Sequence, residues 1–142
     1  MQDSYTDVVN KFYEAWANRD AGLILELLHP DVELRTSKTF IYADQSPYKG
    51  RAGVHSVMER LVNDWDRFQM VPEEIQGAGD MVIARGRYLG TYLATGDKLD
   101  AEFVHVFKFQ GGKIILHHTY TDTAQFRDVV GAERAADSTG AG

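Results

Sequence analysis

The stretch LDAEFVHVFKFQGGKIILHHTYTD, residues 99–122, decides the fold. Aromatic and β-branched residues fill both halves, and Gln110-Gly111-Gly112 interrupts them. It therefore reads as a hairpin of two long strands, Leu99–Phe109 and Lys113–Thr121. Phe103, Val104, Val106, Phe107 and Phe109 lie nearly side by side, so alternation cannot hide them all on one face. Such a sheet needs helices on one side and a partner on the other. A homodimer packed sheet to sheet is the simplest partner.

The loop sets which side chains look inward. A three-residue loop with Gly112 in the left-handed position pairs Phe109 with Lys113, Phe107 with Ile115, His105 with His117 and Phe103 with Thr119. His105 and His117 then share a face with Phe103, Phe107 and Thr119, while His118 and Tyr120 take the other. A two-residue loop pairs His105 with His118 instead, and a one-residue slip exchanges the faces.

Upstream of the hairpin, Met81–Ala94 and Phe68–Ile75 read as strands, with turns at residues 77–80 and 95–97. The first half is helical. Residues 4–18 place Tyr5, Val8, Val9, Phe12, Tyr13 and Trp16 on one apolar face, with Ser4 as cap. A short helix carries Leu23, Ile24, Leu27 and Leu28 and stops at His29, before Pro30. Asp31–Thr36 alternates as a strand, and residues 37–50 form a loop. A third helix runs from Ala52 to Trp65 with Val54, Val57, Met58, Leu61, Val62 and Trp65 on one face. After the hairpin, Thr123–Val130 is a terminal helical turn with Asp122 at its N-cap. Helices first, then hairpins, predicts a single α+β domain over residues 1–130, and residues 131–142 read as a polar tail.

Composition narrows the function classes. Fifteen basic against twenty-one acidic residues give a net charge of −6 over 142 residues, with no basic stripe, which excludes nucleic acid as the expected partner. No apolar run approaches the roughly 18 residues of a membrane span. The N-terminus, MQDSYTDVV, carries no signal-like core, so a soluble cytoplasmic protein is expected. With no cysteine, disulfides, iron–sulfur clusters and thiolate zinc sites are excluded. HxxxH and HxH spacings are absent, so no metal is expected. P-loop, GxGxxG and GxSxG patterns are absent too, so no cofactor is expected.

Two histidines on an aromatic face are the best chemical candidates. An imidazole titrates near pH 6.5, so a pair divides base and acid roles near neutrality. Taken singly, each reads first as a partly buried histidine bonded to a tyrosine or to backbone. Tyr13 and Trp16 read first as core.

Further residues carry a family resemblance. Phe12-Tyr13-x-Ala15-Trp16, Asn18-x-Asp20, Leu28-His29-Pro30-Asp31-Val32 and Tyr48-x-Gly50-Arg51 resemble the nuclear transport factor 2-like superfamily. So do Val104-His105-Val106-Phe107, Gly112-Lys113-Ile114 and Tyr120-x-Asp122. Within it the chain looks most like the SnoaL-like group, whose relatives include polyketide cyclases, ketosteroid isomerases and limonene epoxide hydrolases. The resemblance covers about residues 5–130. It implies a cone-shaped, cystatin-like α+β barrel: a curved antiparallel sheet packed by three helices around an apolar pocket, dimeric through the outer sheet face.

Carried over by residue, Tyr13 resembles an oxyanion-hole tyrosine of the isomerases. His105 and His117 resemble pocket positions of the cyclases. Thr36 and Thr119 stand where relatives keep a catalytic carboxylate. Trp16, Leu34, Phe103, Phe107 and Asp122 complete the expected lining. The resemblance implies an acid/base enzyme of isomerase or cyclase type, acting on a small apolar or carbonyl-containing, polyketide-like molecule through His105, His117 and Tyr13. Because Thr36 and Thr119 replace the usual carboxylates, the same pocket also fits a non-catalytic small-ligand binder or a scaffold dimer.

Overall fold

α1 (Tyr5–Ala17) begins where the Ser4 hydroxyl accepts the Asp7 N–H at 3.2 Å, and it buries Val8, Val9, Phe12, Tyr13, Ala15 and Trp16. α2 (Ala21–Leu27) is capped by the Asp20 carboxylate on the Leu23 N–H at 3.1 Å. It passes directly into β1 (Leu28–Arg35), which starts three residues ahead of the predicted strand. A 3-10 turn (Ala43–Gln45) and β2 (Tyr48–Lys49) break the predicted loop, and α3 (Gly50–Asp64) follows. Then come β3 (Trp65–Ala78), β4 (Met81–Tyr92), β5 (Lys98–Gln110), β6 (Lys113–Thr121) and α4 (Thr123–Val130). The computed structural model describes residues 4–131, so the predicted tail beyond Gly131 lies outside the described residues.

The six strands form one curved sheet in the order β2-β1-β6-β5-β4-β3. The α+β architecture is as the sequence predicts, with three differences. First, β1 runs parallel to β6, so the sheet is mixed rather than wholly antiparallel. All the intervening elements form the long crossover that parallel neighbours need. Second, the sheet stays open: its edges are the two-residue β2 and the long β3, which do not pair among the described residues. Third, α4 is a fourth helix with its own N-cap, a left-handed Gly131 C-cap and a buried Phe126. On α3, Val62 is 50% exposed and leaves the predicted apolar face, and Trp65 is buried as the first residue of β3.

The decisive hairpin departs from the predicted pairing by two residues. Gly111 and Gly112 both have positive φ, at 58° and 79°, and make a two-residue turn between Gln110 and Lys113. That removes one residue from the predicted loop. A bulge at Ile115, between the pairs Phe109–Ile114 and Lys108–Leu116, adds a second one-residue shift. His105 therefore pairs with Thr119, and Phe107 with His117. Two shifts in the same sense preserve parity, so His105, His117, Phe103, Phe107 and Thr119 still share the inner face.

α1 and α3 cover the concave side. The Trp16 indole N–H donates to the Phe68 carbonyl at 2.9 Å, and Arg19 donates to the same oxygen at 2.6 Å while lying over the Trp16 ring. Gly86 is a glycine for steric reasons. A Cβ there would sit 2.1 Å from the Val71 carbonyl oxygen, where β3 bulges toward β4. The convex face carries Arg85–Glu74 and Arg87–Asp100 ion pairs, and it leaves Ile83, Val104 and Tyr120 partly exposed.

Candidate functional site

Alternation along β4, β5 and β6 delivers one set of side chains to the concave face. Val82, Ala84, Gly86 and Tyr88 come from β4, and Ala101, Phe103, His105 and Phe107 from β5. His117 and Thr119 come from β6. Parallel pairing sets Leu34 of β1 beside His117. Phe12, Tyr13 and Trp16 descend from α1, and Val54, Val57, Met58 and Leu61 from α3.

Between these layers lies a cavity of about 40 Å³. Its walls are mostly apolar, and its polar positions are Thr36, Tyr88, His117 and Thr119, with the indole of Trp16. No carboxylate is among them. A space of this size holds a few waters. Met58 and Met70, the most adaptable side chains of the wall, line it as well.

His105 sits behind this cavity and is fully buried. Both ring nitrogens are engaged: Nδ1 lies 2.7 Å from the Tyr13 hydroxyl, and Nε2 lies 2.5 Å from the Tyr88 hydroxyl. Tyr88 in turn reaches the Thr119 hydroxyl at 2.7 Å. The imidazole is stacked on Phe103 with centroids 4.0 Å apart. This is the bonded core histidine that each imidazole, taken singly, first suggests.

His117 is different. Its ring meets His105 edge to face at 4.5 Å, stacks on Phe107 at 4.5 Å and meets Phe12 at 5.3 Å. It lines the cavity, and its buried Nε2 has no hydrogen-bond partner among the described residues. A buried polar atom left unmatched costs about 1–3 kcal/mol, so its retention calls for an explanation.

Burial decides the charge of both rings. It holds the His105 pKa well below its ordinary value, and the neighbouring His117 adds to the effect. Burial, with a smaller contribution from His118, pushes His117 down to about 3. Both are therefore neutral near pH 7. The base form is favoured at both rings near neutrality, because a charged imidazole would be desolvated among aromatic rings. Burial also raises the Tyr13 and Tyr88 hydroxyls, which stay protonated.

Of the predicted site residues, His117, Trp16, Leu34, Thr36 and Thr119 line the cavity. His105, Tyr13, Phe103 and Phe107 form the layer behind it. Asp122 is not part of the wall. It is exposed, and its carboxylate caps α4 by accepting the Gln125 N–H at 3.1 Å. The residue that sequence reasoning missed is Tyr88, which joins His105 to Thr119. Its signal was the alternation Val82, Ala84, Gly86, Tyr88 against Arg85 and Arg87.

Residues 9–117 match the SnoaL-like domain family. Among solved structures, the chain is similar to an NTF2-like protein from Burkholderia thailandensis, with 28% identity, 91% of this chain and 98% of that chain covered, and a TM-score of 0.85. It is also similar in fold to TerC, co-crystallised with polyporic acid, at 24% identity, covering 89% and 98% of the two chains with a TM-score of 0.80. IdmH, a putative polyketide cyclase from Streptomyces antibioticus, aligns at 22% identity over 91% and 99%, with a TM-score of 0.76. No curated protein matches the chain.

Proposed function

The chain belongs to the SnoaL-like domain family, and from that premise we propose that it is an acid/base enzyme of isomerase or cyclase type acting on a small, flat, largely apolar carbonyl compound. The observation that carries this reading is His117, a wall residue whose buried Nε2 lacks a partner among the described residues. A bound molecule supplies the missing partner. His117 takes a proton from carbon next to the carbonyl and returns it elsewhere on the same molecule. Its depressed pKa keeps it in the base form at neutral pH. The low dielectric that disfavours a lone imidazolium also strengthens its attraction to an enolate formed beside it. His105 and Tyr13 act from behind the wall, holding Tyr88 and Thr119 in place.

The test is proton exchange at carbon. The protein is incubated in D2O with acetophenone, 1-indanone and 2-cyclohexenone, and deuterium entering next to each carbonyl is followed by NMR. Exchange is expected with at least one ketone, and His117→Phe should slow it by about 100-fold or more. The exchange rate at low ketone concentration should be flat from pH 8 to pH 5, since His117 takes up a proton only near pH 3. An acid limb centred near pH 6.5 contradicts the depressed pKa of His117, and exchange that His117→Phe leaves unchanged contradicts His117 as the base. A second reading, a non-catalytic binder, is favoured by the absence of a carboxylate from the lining. It predicts ketone-induced thermal stabilisation with no exchange.

The same proposal includes a homodimer packed through the convex face. Ile83 pairs with Val106 and Val104 with Tyr120, making an apolar patch that Arg85, the β4 partner of Val104, borders. Sedimentation is expected to show a dimer that Val104→Glu dissociates, with the pocket unaffected. A native monomer at micromolar concentration removes this part of the reading.

A further inference from the structure

The chain of hydroxyls and imidazole behind the cavity has a direction. His105 is neutral, so one ring nitrogen donates and the other accepts. Two arrangements are open. In one, Tyr13 donates to Nδ1, Nε2–H donates to Tyr88, and Tyr88 donates to Thr119. In the other every bond is reversed. Each makes three hydrogen bonds and leaves one hydroxyl proton unmatched, at opposite ends of the chain.

The ends differ. The Tyr13 hydroxyl has His105 as its one hydrogen-bond partner among the described residues, and its ring is enclosed by Phe12, Phe103 and Phe107. Tyr13 is not a wall residue of the cavity, so the reversed arrangement strands a donor against aromatic rings. Thr119 does line the cavity, so the forward arrangement presents its unmatched O–H where a guest molecule lies.

We infer that Tyr13, His105 and Tyr88 form a one-way hydrogen-bond relay whose free donor is the Thr119 hydroxyl, and that Thr119 is the group recognising an acceptor oxygen of the bound molecule. The chemical class is a ketone or enolate oxygen, not an ammonium or a group that can only donate. Thr119 and His117 are two residues apart on one strand, hence on one face, about 7 Å apart along it. An oxygen held at Thr119 brings the adjoining carbons of the same molecule toward His117. This specificity role rests on the proposed pocket function for its ligand, but the direction of the relay stands independently of it.

Two measurements test it. In protein labelled with ¹⁵N at histidine, long-range ¹H–¹⁵N correlation reads which His105 nitrogen carries the proton. The expected result at pH 7 is a protonated Nε2 and an unprotonated Nδ1. Thr119→Val removes the acceptor for the Tyr88 hydroxyl and should move the ring toward the Nδ1-protonated form, whereas Thr119→Ser should not. A native ring protonated at Nδ1, or a ring indifferent to Thr119→Val, overturns the relay. For recognition, acetophenone and ethylbenzene, matched in shape, are titrated by NMR. Native protein should bind the ketone at least about fivefold more tightly. Thr119→Val should erase that preference and Thr119→Ser should retain it. Equal binding by native protein, or a preference surviving Thr119→Val, overturns the role of Thr119. Loss of deuterium exchange alone, with the ketone preference intact, overturns the catalytic reading and leaves this one standing.

Discussion

Replacing His105 with alanine is expected to lower stability by about 4–5 kcal/mol, enough to bring a domain of ordinary stability close to unfolding. The residue has no exposed surface and is in ring contact with Phe103, Tyr13, Tyr88, Phe107 and His117. Truncation opens a cavity among five rings that come from different elements and cannot easily collapse. It also removes the partner of two buried hydroxyls at once, since Nδ1 serves Tyr13 and Nε2 serves Tyr88. Among the described residues Tyr13 then has no other partner, and Tyr88 keeps only Thr119. Thermal denaturation should show a fall of roughly 12–15 °C for a chain of this length. His105→Phe separates the two causes. Phenylalanine fills the space and keeps the stack on Phe103, so its loss, about 2–3 kcal/mol, reports the phenols alone. If His105→Phe matches the native protein, the hydrogen bonds contribute nothing net and packing is the whole effect.

The same residue shows how far the sequence can be read. Periodicity places α1, its cap and its buried face, because helical spacing and capping are local; Tyr5, expected on that face, is 36% exposed and stacks on Phe109 instead. Alternation placed β5 and β6 and put both histidines on the concave face. The pairing itself was not local. Two consecutive glycines fit a two-residue or a three-residue loop, and nothing near Ile115 announces a bulge. The inner face was predicted correctly because the turn and the bulge each shift the pairing by one residue in the same direction. The parallel pairing of β1 with β6 had no signal at all, since the eight residues of β1 do not name their neighbour.

For the candidate site the gap is of another kind. Tyr13, His105, His117 and Thr119 were all found, but as separate members of one pocket. The structure divides them into a wall and a backing layer, and Tyr88 joins the two. Tyr88 is hard to read from the sequence because Arg85 and Arg87 share its strand, and they mark the outer face only once parity along β4 is fixed. Charge was illegible for a simpler reason. A histidine in a sequence has its solution pKa, and only the surrounding rings reveal how strongly its charged form is excluded.

That exclusion has a consequence for the whole domain: it is expected to lose stability steeply in mild acid. Unfolded, His117 titrates near 6.5, and folded it titrates near 3. Above pH 6.5 neither state is protonated there, so the group has no effect on the pH dependence. Below it, the unfolded chain binds a proton that the folded chain refuses, so stability falls as pH falls, until the folded form also protonates near pH 3. Between pH 7 and pH 4 His117 alone accounts for about 3 kcal/mol of lost stability. His105, depressed by the same burial, acts in the same direction through the same acid range. Urea denaturation across this range should give a slope approaching two extra protons bound on unfolding, beyond what the carboxylates contribute. His117→Phe keeps the ring stacked on Phe107 and removes one of those protons, so the mutant should be less acid-sensitive by about 1.4 kcal/mol per pH unit below pH 6. The difference between the two proteins cancels the carboxylates and the other histidines. Parallel curves for mutant and native protein would mean that His117 titrates alike in the folded and unfolded chain, and the depression of its pKa by burial would have to be given up.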